Sequence, residues 1–142
     1  MFKNIDLEQS IKNAQTSLVI MIVLTLINVI GMLFGSSFYL PYSAMLPAFL
    51  TNQAIINQLN TMYIFVVLVI ALYSGIAVIA RDKPIWYIGA LLLYVIDTGL
   101  VIFLLFTRPS FNIIELMDVA FHGWILYSLT KGSVAAFRTM VE

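Results

Sequence analysis

Residues 112–129 read NIIELMDVAFHGWILYSL. The run has the length and apolar character of a membrane span, yet it carries Glu115, Asp118 and His122, the only histidine in the chain. At about 100° per residue, a helix gathers these three within about 60° of one another, and Phe111, Leu126 and Leu129 extend the stripe. An ionisable group near a bilayer centre costs about 3 kcal/mol on insertion scales, whereas each Leu, Ile, Phe or Val returns about 0.5 kcal/mol. The segment is therefore a marginal inserter by itself, and its polar stripe has to face a partner helix rather than lipid.

The rest of the chain supplies such partners. Of its 142 residues 62% are hydrophobic and 10% charged, with a mean hydropathy of +1.02; soluble domains carry about 25% charged residues. The expected fold is all-α: a polytopic membrane protein, a single transmembrane domain over residues 1–142 built as a four-helix bundle. Its spans fall at about 17–34, 62–80, 85–106 and 112–130. Zero formal net charge argues against a nucleic-acid partner, and the absence of cysteine excludes disulfides, iron–sulfur ligation and a thiol nucleophile.

Residues 1–16 are polar and mildly amphipathic. Asp6 and Gln9 resemble a capping box, and Phe2, Ile5, Leu7, Ile11 and Ala14 suit either an interfacial anchor or a plain extension of the first span. The apolar run that follows is too long, and the basic region before it too thin, for a signal peptide. In the first span Ser17, Met21, Thr25, Asn28, Gly31 and Gly35 share one face. The two glycines form a small-xxx-small pair for close helix packing, and Asn28 can hydrogen-bond across the contact.

Residues 35–61 contain no charge and are broken by Pro41 and Pro47. An exposed aqueous loop would be more polar, so an interfacial or re-entrant apolar segment is expected, with Tyr39 and Tyr42 in the interfacial belt and Thr51 capping a helix that runs into the second span. That span offers Ala71 and Gly75 as another small pair, and Tyr73 near its middle should point inward to find a partner for its hydroxyl. Arg81 to Pro84 form a turn, with Asp82 capping the next helix and Trp86 and Tyr87 at the interface.

The third span is apolar except for Asp97 and inserts despite it. With only a short connection at Arg108, Pro109 and Ser110, the third and fourth spans are antiparallel neighbours. Counted from the hairpin end, Asp97 lies about 14 Å deep and His122 about 15 Å, so they should meet. Asp118, one turn from His122, can join them. Glu115 is shallower, and Asn112 with Glu115 reads as a helix cap that Arg108 could neutralise.

Intramembrane ionisable residues usually mark function. Three readings follow. In the first, the chain is a proton- or cation-binding transport or binding unit acting as a homo-oligomer, with Asp97, Asp118 and His122 at its centre and Glu115, Tyr73 and Asn28 around them. In the second it is an intramembrane hydrolase of a lipid or membrane peptide, in which Asp97, Asp118 and His122 hold a divalent metal such as zinc and Glu115 or Asp118 serves as base. In the third it is a non-enzymatic accessory subunit whose polar stripe clasps helices. No HExxH or nucleophile elbow singles out an enzyme. The expected partners are the lipid bilayer and a second copy or another membrane protein. Six of the seven Lys and Arg residues, Lys3, Lys12, Arg81, Lys83, Lys131 and Arg138, fall on one side, which predicts a multi-pass cell-membrane protein with both termini cytoplasmic.

Overall fold

A computed structural model describes residues 2–107 and 112–141, with side chains from residue 6 onward. The expectations that rest on Arg108, Pro109, Ser110 and Phe111, and on the side chains of Phe2, Lys3 and Ile5, lie outside the described residues. Among the described residues there are five α-helices and no strand: α1 (Phe2–Leu33), α2 (Met45–Asn57), α3 (Thr61–Asp82), α4 (Tyr87–Thr107) and α5 (Ile113–Val141), with a 3₁₀ turn (Pro84–Trp86) leading into α4. Three segments are long and apolar enough to cross a membrane: Asp6–Leu33, Thr61–Asp82 and Pro84–Thr107. α5 is as long but too polar to join them, in keeping with its marginal insertion balance.

The first three helices end for local reasons. No proline or glycine interrupts α1 before Gly31. The chain then turns at Gly35, where φ is +76°, and the Ser36 N–H closes the helix on the Gly31 carbonyl at 2.9 Å. α2 stops at Gln58, whose φ of +53° lets the Leu59 N–H reach the Ala54 carbonyl. α3 runs out at Lys83 because Pro84 follows, and Pro84 opens the 3₁₀ turn, where its missing N–H costs nothing. Asn112 and Glu115 form the expected capping box at α5: the Glu115 N–H donates to Asn112 Oδ1 at 2.8 Å and the Asn112 N–H to Glu115 Oε2 at 3.1 Å.

The four long helices form a closed ring in which α5 lies between α1 and α4, and α3 joins α4 to α1, while α2 packs on α3 and α1. α1 and α5 run antiparallel. They pack tightly at Gly132, where an added Cβ would overlap Ala14, and the Ser17 hydroxyl meets that of Ser128 at 3.0 Å. Leu18, Met21, Ile125 and Leu129 fill the centre of the ring together with Tyr73, Tyr87 and Tyr94. The outside is the apolar side: Ile64, Phe65, Val67, Leu68, Leu92, Ile96 and Phe103 are exposed, whereas Asn28, Asp97, Asp118 and His122 are buried. Interior polarity and exterior hydrophobicity are the pattern of a helix bundle whose solvent is lipid.

Several local expectations are corrected. Asp6 and Gln9 lie inside α1, which already begins at Phe2, so they cap nothing; the N-terminal stretch is an extension of the first helix. Gly31 and Gly35 terminate α1 instead of packing it, and Ala71 and Gly75 approach no other helix closely, Ala71 being exposed. Thr51 is mid-helix and donates to the Pro47 carbonyl, because α2 starts six residues earlier, at Met45. Asp82 ends α3 and makes no cap bond to the turn that follows, and Tyr87 is buried while Trp86 stays exposed.

Candidate functional site

The site is organised by residues 34–44, which fold back along α1 rather than leaving it. Asn28 holds this connection from both sides: its Oδ1 accepts the Leu40 N–H at 2.8 Å, and its Nδ2 donates to the Leu40 carbonyl at 2.8 Å and to Ser43 Oγ at 2.7 Å. One turn earlier on α1, Thr25 Oγ1 accepts the Ala44 N–H at 2.8 Å. Since Thr25 lies eight residues before the end of α1, the connection descends about 12 Å beside the helix before α2 begins. The descent has a conformational cost at Tyr42, held at φ +75°, where its ring meets Phe121 edge-on at 5.3 Å.

α2 thus starts inside the bundle, with its N-terminus aimed at α4. No side chain of its own caps it. Asp97 does so from across the bundle: Oδ2 accepts the Met45 N–H at 2.8 Å and Oδ1 accepts the Leu46 N–H at 2.6 Å. A carboxylate on the positive end of a helix dipole is a favourable pairing, and it satisfies two N–H groups that would otherwise be buried without partners. Pro47, next in line, has no N–H to satisfy.

The same Asp97 Oδ2 lies 3.1 Å from His122 Nε2, and the other ring nitrogen, Nδ1, lies 2.9 Å from the Asp118 main-chain carbonyl. A carbonyl oxygen can only accept, so Nδ1 carries a hydrogen. One further proton then sits on the line between Nε2 and Oδ2, and wherever it rests the Asp97–His122 pair is neutral as a unit. The two main-chain donors at Asp97 suit acceptor-only oxygens, which makes imidazolium against carboxylate the form that uses every bond. Tyr94 stacks on the imidazole with centroids 5.0 Å apart and planes 15° from parallel.

Asp118 stands on the opposite side of the ring. Its Oδ2 accepts the Tyr39 hydroxyl at 3.2 Å, while Oδ1, 3.6 Å from His122 Nδ1, is buried with no hydrogen bond. Tyr39 accepts in turn from Ser43 Oγ at 3.3 Å. Burial pushes the Tyr39 hydroxyl above its ordinary range, so it remains a proton donor. Asp97, Asp118 and His122 are 1%, 3% and 1% exposed, yet Asp118 is not sealed. It lines an open cleft of about 300 Å³ together with Met32, Tyr39, Met45, Phe49 and Glu115, and also borders a pocket of about 30 Å³, room for a single water, between α4 and α5.

The sequence-derived site residues are distributed as follows. Asp97, Asp118 and His122 are brought together. Their two carboxylates address opposite nitrogens of one ring, and among the described residues no three His, Asp or Glu side chains are grouped to hold a metal ion. Glu115 belongs to the α5 cap and to the cleft wall, Asn28 to the clamp on the connection, and Tyr73 is buried but makes none of the hydrogen bonds of the cluster. Tyr39, expected at the interface, is instead a ligand of Asp118. Tyr94, one turn before Asp97 on the same helix face, completes the cluster by stacking on His122, a role that its position relative to Asp97 signals in the sequence. A groove of about 490 Å³ between α1 and α5, lined by Ser10, Thr16, Trp124, Ser128 and Lys131 among others, lies apart from the cluster. No known protein family, curated protein or solved structure matches the chain.

Proposed function

We propose that the protein is a proton-binding unit of a small membrane transport or binding system, with Asp118 as the group that exchanges its proton. The observation that carries this reading is the contrast between the two acids. Asp97 has every oxygen engaged by α2 and His122, whereas Asp118 has one buried oxygen with no hydrogen bond and borders an open cleft. The charged neighbour of Oδ1 is the His122 ring, 3.6 Å away and already paired with Asp97, so this orphaned oxygen is the point at which a proton can be taken up and released.

In this reading α5 is the fourth span, carried into the bilayer by its bonds to α4, and residues 34–57 are a re-entrant segment whose half-length helix points its N-terminus at the bilayer centre. The distribution of Lys and Arg along the sequence, six of seven on one side, supports both termini lying in the cytoplasm, in which case the cleft opens outward. Four spans give few walls for a solute path, so a homo-oligomer is the working unit, and the outward-facing Ala71 and Gly75 offer a close-packing surface for a second copy. The hydrolase reading has less support, because the two carboxylates do not share a point in space at which a metal could reach both.

Infrared titration of the purified protein tests the proposal. One protonated carboxyl band should vanish as pH rises and be missing in Asp118→Asn but present in Glu115→Gln. A spectrum in which no buried carboxyl changes across the stable pH range would leave only the reading as a helix clasp. Because the chain has no cysteine, single introduced cysteines at residues 8 and 140 can be labelled from each side of intact cells to check the orientation.

A further inference from the structure

The walls of the cleft are more informative than its size. Met32, Met45, Phe49, Leu104 and Ile114 make them apolar, the amides of Asn52 and Asn112 sit among them, and no Lys or Arg among the described residues takes part. Around Asp118 stand Glu115 and His122 on its own helix, Tyr39 from the connection and Met45 at the N-terminus of α2, with Asp97 beyond the imidazole and Tyr94 stacked on it. With Asp97 and His122 neutral as a pair, an ionised Asp118 adds negative charge to an apolar pocket. A hard inorganic cation draws six or more oxygens to one point, whereas six of the eleven residues in these walls, Met32, Met45, Ala48, Phe49, Leu104 and Ile114, bring only apolar side chains. A weakly hydrated organic cation needs one carboxylate, an aromatic face and polarisable surface, and Asp118, Phe49 and the two methionines are of those kinds.

We propose that this cleft binds an organic monocation with an apolar body, its quaternary or protonated nitrogen at Asp118 and its body along Met32, Met45 and Phe49, in exchange for the Asp118 proton. The exchange balances simply: the O–H of the neutral carboxyl breaks, the proton leaves to water, and the cation takes its place beside the carboxylate. This rests on the reading of Asp118 as the proton-exchanging group. It adds the class of the competing ligand, one whose volume is at the lower end for small-molecule sites.

The test uses the full chain in detergent and benzyltrimethylammonium, a permanent cation, titrated calorimetrically in two buffers of different ionisation enthalpy. Saturable binding should release up to one proton and tighten by up to about tenfold per pH unit as pH rises. Asp118→Asn should abolish the proton release and weaken binding at least about tenfold, and Phe49→Ala should weaken binding while keeping the release. Tetramethylammonium, with the same head and no body, should bind at least about tenfold more weakly. If Asp118→Asn does not fold, the Phe49→Ala and tetramethylammonium comparisons decide. Binding without proton release, or equal binding of the two cations, overturns the inference. No saturable binding while the Asp118 carboxyl band still titrates overturns it and leaves the proton site standing; no binding and no titration removes both.

Discussion

Asp97 and His122 meet at 3.1 Å across the seam between α4 and α5, and the carboxylate oxygen that faces the imidazole is the one that accepts the first N–H of α2. One side chain therefore joins three helices. Asp97→Asn keeps the shape but cannot accept both N–H groups and the ring together, and it leaves a proton on His122 without its counter-charge. The expected loss is about 3 kcal/mol or more, as for other buried pairs deprived of one partner. Thermal unfolding in detergent measures it, and hydrogen exchange should quicken first at Met45 and Leu46. Unchanged exchange at those two amides would deny Asp97 its capping role.

Tyr39→Phe removes the donor to Asp118 and an acceptor of Ser43 Oγ, which keeps the Leu40 carbonyl at 3.1 Å. The expected cost is about 1 kcal/mol, the net worth of a hydrogen bond. In the infrared spectrum the Asp118 carboxyl band should shift in frequency, whereas Tyr63→Phe, far from the cluster in sequence and outside its bonds, should leave it in place.

Gly132 sets the spacing of α1 and α5. Gly132→Val forces the helices apart at Ala14 and should cost about 1–3 kcal/mol, the usual range for overpacking. The double variant with Ala14→Gly should recover part of that loss, and a thermal-stability cycle over the four proteins measures the coupling. Strict additivity would place the close approach elsewhere.

The two left-handed residues of the first connection should respond in opposite ways. Gly35→Ala puts a Cβ where φ is +76° and should destabilise by about 1 kcal/mol. Tyr42→Gly relieves a similar strain but loses the edge contact with Phe121, itself worth about 0.5–1.5 kcal/mol, so its net change should lie within about 1 kcal/mol of zero. Chemical denaturation of the two variants in parallel checks the contrast.

Much of this arrangement was readable from sequence because it follows from periodicity and depth. The helical stripe of Asp118 and His122, the antiparallel pairing of α4 and α5 and the level meeting of Asp97 with His122 all follow from a fixed rise per residue and a short connection. The role of Asp97 as a cap was not readable, since caps are ordinarily sought within a few residues of the helix they close, and this one comes from 51 and 52 residues away. The same blindness placed Thr51 at a helix start: with no local cap before Met45, the sequence offered Thr51 as the next candidate. Tyr39 was misplaced because an aromatic near two prolines fits the interfacial belt as well as it fits a buried hydroxyl donor.

The remote cap has a consequence for how the chain is made. When α2 emerges during synthesis, the carboxylate that will satisfy its first amides has not yet been translated, and the imidazole that will balance that carboxylate comes later still, on α5. The amides of Met45 and Leu46 therefore stay without this acceptor until residue 97 has been made, and the three-helix junction at the centre of the molecule closes only once residue 122 has followed it.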